Sequence, residues 1–69
     1  MDLEELHNRF TYHAPKEGQP QIYEVIRGMA LTMANKLVLE CPESRELSLA
    51  ITKLEVVVFW ANASIARHA

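Results

Sequence analysis

Five consecutive residues near the start of the chain, Arg9-Phe10-Thr11-Tyr12-His13, combine two aromatic rings with a guanidinium and an imidazole, and Lys16 follows just beyond Pro15. Rings interleaved with cations are suited to gripping a base and its phosphate. A flat ring stacks on a base for roughly 1–3 kcal/mol, while a neighbouring cation neutralises the phosphate. Phe10, Tyr12 and His13 are therefore candidate ligand contacts. A second reading stays open, in which Phe10 and Tyr12 merely fold the N-terminal arm onto a helical core.

Other cations are scattered. Arg27 sits mid-chain, and Arg45, Lys53 and Arg67 fall in the C-terminal third. Arg45 lies where a helix is expected to begin, against the dipole, which is mildly unfavourable unless it binds an anion or pairs with Glu43 or Glu46. Arg67 is near a helix C-terminus, where a cation is comfortable. For Lys53 a structural salt bridge is the default expectation. Asn62 lies on an otherwise apolar helix and must find a hydrogen bond or cost a few kcal/mol; it can set the register of an assembly or touch a ligand. Trp60, beside Ala61 and Ala63, reads as packing.

Enzymatic constellations are missing. The sequence has no glycine-rich phosphate loop, no nucleophile elbow and no carboxylate pair in a segment expected to line a cleft. A non-catalytic protein without a cofactor is expected. His7, His13 and His68 are far apart in sequence and lack zinc-type spacing, so no metal is expected either.

The elements that must position these residues follow from periodicity. Residues 1–8 read as a short helix with Asp2 as N-cap, and residues 9–20 as a connector punctuated by Pro15, Gly18 and Pro20. Tyr23, Ile26, Ala30, Met33 and Leu37 then repeat at spacings of three and four, predicting a helix over 21–40 that stops before Pro42. Glu43 or Ser44 can cap a third helix over 44–67, with Leu47, Ala50, Leu54, Val57, Ala61 and Ile65 on its inner face. The short link makes the two long helices antiparallel neighbours. The fold class is thus all-α: a short N-terminal helix, a connector and a long helical hairpin, in one domain over 1–69.

Sixty-nine residues barely support a core. One cysteine, Cys41, permits no internal disulfide and suits a reducing compartment. Ile22, Val25, Met29, Leu49, Val56, Phe59 and Trp60 add apolar surface beyond one stripe per helix, so a homo-oligomer is expected. The N-terminus is acidic, unlike a signal peptide. The longest uncharged run, Val56 to Ala66, is about 16 Å long as a helix, so no membrane span and a cytoplasmic location are expected. A net charge of −2 argues against duplex nucleic acid as a partner. Without Asp2, Glu4 and Glu5, however, the nine acidic side chains fall to six against seven basic ones, and a small anion needs only a few cations.

Four blocks carry a resemblance: Arg9-Phe10-Thr11-Tyr12-His13 with Pro15; Tyr23-Glu24-x-Ile26-Arg27; Pro42-x-Ser44-Arg45-Glu46-x-Ser48-Leu49-Ala50-x-Thr52-Lys53-Leu54-Glu55; and Trp60-Ala61-Asn62-Ala63-x-Ile65-Ala66-Arg67. Over residues 8–68 the chain resembles the phage hairpin-domain family of the anti-CBASS cyclic-nucleotide sponge and the related Thoeris anti-defence sponge. The resemblance implies a homohexamer that sequesters cyclic di- or trinucleotide messengers in the host cytoplasm without cleaving them. It further implies a dinucleotide site at a subunit boundary using Tyr12 and Arg27, and a second anion site drawn from Arg9, Arg45 and Arg67. The alternatives are a sponge for cyclic ADP-ribose isomers and a purely structural helical adaptor.

Overall fold

The computed structural model describes residues 1–69 and is all-helical, with three helices and no strand. Helix α1 runs Leu3–Phe10, α2 Gln19–Glu40 and α3 Arg45–His68. Each boundary has a local cause. Asp2 caps α1, its Oδ1 accepting from the Glu5 N–H at 2.7 Å. Glu4 and Glu5 in the first turn, with His7 and Arg9 in the last, complement the helix dipole. The helix therefore reaches two residues past the expected boundary, and Arg9 and Phe10 belong to it rather than to the connector.

Gly18 takes a left-handed φ of 84°, which a side chain would strain, and turns the arm into α2. Pro20 lies in the first turn, where a missing N–H costs little. At the other end Cys41 is extended ahead of Pro42, and its N–H closes the last turn on the Leu37 carbonyl at 2.9 Å. Ser44, not Glu43, caps α3, its Oγ accepting from the Leu47 N–H at 3.1 Å. The β-prone Val56-Val57-Val58-Phe59 run is helical throughout.

Helices α2 and α3 pack antiparallel along one seam. Its half-buried residues are Tyr23, Ile26, Ala30, Ala34 and Leu37 on α2, facing Leu47, Ile51, Leu54, Val58, Ala61 and Ile65 on α3. Three expected seam positions fall outside it. Met33 and Val57 are 54% and 60% exposed, and Ala50 is exposed as well. Steps of three and four both keep a residue near one helix face, so period alone admits either neighbour. Ala34 allows closer helix approach than Met33, whereas Ile51 fills the seam better than Ala50.

The three helices form one layer, with principal extents of 45 × 29 × 12 Å. Its thickness is about the diameter of a single helix. No apolar side chain is fully buried. Against the expectation of no membrane-length span, helix α3 is long and apolar enough to cross a membrane by length and composition, with a mean hydropathy of 1.4 over 18 of its 24 residues.

Candidate ligand-binding site

Most of the chemistry-bearing residues gather where α1 and the arm meet the C-terminal end of α3. Asn8 Nδ2 donates to the Arg67 carbonyl at 3.2 Å, docking α1 there. His13 Nε2 lies 2.8 Å from the Asn8 carbonyl; a carbonyl only accepts, so this nitrogen carries the proton and the ring holds the arm against α1. Lys16 Nζ donates to the Ala69 carbonyl at 2.6 Å.

Phe10 and Tyr12 do not fold onto a core. They are 85% and 84% exposed, with ring surface free for stacking. On one side of α1, Arg9, Phe10, Trp60, Arg67 and His68 line a common cleft with Glu5, Ala63 and Ser64. Arg9 already pairs with Glu5 through Nε at 3.1 Å, which leaves its terminal nitrogens available. On the other side, His7, His13 and His68 line a polar cleft with Asp2, Asn8 and Arg67. Folding thus brings together histidines that are distant in sequence, although no three His, Cys, Asp or Glu side chains converge tightly enough to hold a metal ion.

Arg27 stands apart. It borders an apolar groove on one broad face of the hairpin, floored by Ala30, Ala34, Ile51, Leu54 and Val58 and flanked by Glu55 and Phe59. It lies eight residues into α2, about 12 Å along the axis from Gln19, and lines no cleft with Tyr12. Arg45 begins α3, about 33 Å from Arg67 along the same helix. One chain therefore unites Arg9 and Arg67 but not Arg45.

Neither Arg27, Arg45, Lys53 nor Arg67 forms an ion pair; the two pairs present are Arg9–Glu5 and Lys36–Glu40. The salt bridge expected of Lys53 is missing because its i±4 neighbours are Leu49 and Val57, and Glu46 is two turns away. Asn62 does point inward, and its enclosed Oδ1 has no partner. Trp60, read from sequence as core or interface packing, is 66% exposed, so it is not core within one chain, and it walls the Arg9–Arg67 cleft. Its spacing from Ser64 and Arg67 signals a shared helix face. Gln19 and Asn8 gave no such signal.

This architecture is a small, one-layer helical hairpin, with the exposed aromatics Phe10, Tyr12 and Trp60 and the unpaired Arg67 gathered at one end. The chain matches the family described as "Acb2/Tad1, hairpin domain" over residues 2–66. It belongs to that family of anti-CBASS and anti-Thoeris sponges, a membership consistent with phage anti-defence that implies cyclic nucleotide ligands and oligomerisation in general. No curated protein and no solved structure gives a significant match.

Proposed function

We propose that the chain is a phage anti-defence sponge that binds cyclic dinucleotides, and cyclic trinucleotides at a second site, and holds them intact. Effectors of CBASS-type immunity then meet no messenger in the infected cell's cytoplasm. The observation that carries this reading is family membership across nearly the whole chain. The free ring of Tyr12 and the unpaired Arg27 support it chemically, as a stacking face and a phosphate partner.

Nanomolar affinity requires about 12 kcal/mol, more than one ring and one guanidinium supply. Two copies of each around a ligand with two bases and two phosphates double both terms. Tyr12 and Arg27 therefore act from different subunits of an assembly, for which a hexamer is the proposed size. Burial of the hairpin's two apolar faces between copies stabilises the same assembly. Binding of this kind needs no general base and no metal.

The test is a thermal-melting scan against cyclic dinucleotides, cyclic trinucleotides and cyclic ADP-ribose isomers. A ligand at a hundred times its Kd stabilises by about 2.7 kcal/mol, a shift above roughly 10 °C for a chain this short. A shift confined to cyclic ADP-ribose isomers selects the Thoeris-directed function, which the second half of the family's name favours. No shift with any of them leaves a structural adaptor.

A further inference from the structure

Gln19 is the only buried residue in the chain, at 6% exposure, and it is polar. It occupies the junction of three segments. Its Oε1 accepts from the Lys16 N–H at 2.9 Å, while its Nε2 lies within reach of the Ile65 and Ala69 carbonyls at 3.3 and 3.4 Å. Its own N–H donates to the Lys16 carbonyl at 3.0 Å. One amide therefore closes the arm on the start of α2 and ties it to the carbonyl end of α3, where the Ile65 carbonyl also accepts the Ala69 N–H at 3.1 Å.

We propose that Gln19 is the positioning residue of the Tyr12 arm: its side-chain bonds hold residues 11–18 ordered before ligand arrives. The proposal rests on the reading of Tyr12 as a ligand contact. Tyr12 is almost wholly exposed and is placed only by the backbone on either side of it. Just before it Thr11 Oγ1 donates to the His7 carbonyl, just after it the His13 ring bonds the Asn8 carbonyl, and further along the double Lys16–Gln19 bridge closes the arm. With the side-chain bonds gone, only part of the population presents the ring correctly. Apparent affinity then falls by that fraction, and an arm ordered one-tenth of the time raises Kd about tenfold.

Gln19→Met tests this, because it keeps the length and burial of the side chain while removing its hydrogen bonds. Tyr12 and Tyr23 are the only tyrosines, so fluorotyrosine labelling yields one resonance for the arm and one for the α2–α3 seam. The expected result is a narrowed Tyr12 resonance, an unchanged Tyr23 resonance and a Kd for cyclic GMP–AMP about tenfold weaker. An unchanged Tyr12 signal overturns the proposal, as does a narrowed one with parental affinity. Broad change at both tyrosines also overturns it, because Gln19 then supports the whole hairpin. A parent protein that fails to bind cyclic GMP–AMP counts against the ligand reading instead, and the two resonances still decide whether Gln19 orders the arm.

Discussion

Asn8 and Arg67, 59 residues apart in sequence, are joined by a 3.2 Å hydrogen bond from the asparagine amide to the arginine carbonyl. The bond satisfies a carbonyl in the last turn of α3 and fixes α1 beside it, so that Arg9 and Phe10 face Trp60 and Arg67 across one cleft. Asn8→Ala should cost about 1 kcal/mol in urea denaturation and speed amide exchange in α1, leaving the middle of α2 and α3 protected. Equal protection of α1 in parent and variant would show that this bond does not hold the helix.

Assembly is the second expectation. Ile22, Val25, Met29 and Met33 form an exposed stripe along one flank of α2. Sedimentation at micromolar concentration in detergent-free buffer should show no 7.9 kDa species, and Met29→Glu should dissociate the particle. Recovery only from detergent extracts would instead favour a bilayer as the cover for α3.

Tyr12 and Arg27 should act on cyclic dinucleotides from separate subunits. Tyr12→Ala is expected to cost roughly 1–3 kcal/mol per stacked base. The loss from Arg27→Ala should shrink as salt rises, because screening already weakens that phosphate contact in the parent. Neither residue lies on the seam or on the exposed stripe of Ile22, Val25, Met29 and Met33, so both variants should sediment as the parent does. Parental affinity in both variants would remove this pocket from consideration.

Within one chain Arg9 and Arg67 share a cleft that Arg45 cannot reach. Replacing Arg9 or Arg67 by alanine should weaken cyclic trinucleotide binding by about 1.5–3 kcal/mol, the usual worth of a hydrogen bond to a charged group, while dinucleotide binding is spared. Arg45→Ala should match that loss only if the far end of a neighbouring subunit completes the site. Titration of all three variants against both ligand classes separates these cases.

The start of α1, the end of α2 and the start of α3 were legible in the sequence because their causes are local, whereas α1 ends two residues later and α2 begins two residues earlier than the expected bounds. Asp2, Gly18, Pro42 and Ser44 each act on backbone within four residues, as caps, turns or a block to helical geometry. The aromatic and cationic residues at Arg9 to His13 were legible by chemistry, and the Trp60 block by its resemblance to a family. Only tertiary structure decided which members of each apolar pair enter the seam. Met33 and Ala34, Ala50 and Ile51, and Val57 and Val58 satisfy the helical period equally, and because the two valines have the same volume the choice falls to how each packed helix is rotated about its own axis. The site followed the same rule. Nothing in the spacing of Asn8, Gln19 and Arg67 joins them; they meet because carbonyls at the end of α3 take donors from beyond their own helix, and Asn8 of α1 and Gln19 at the start of α2 supply them.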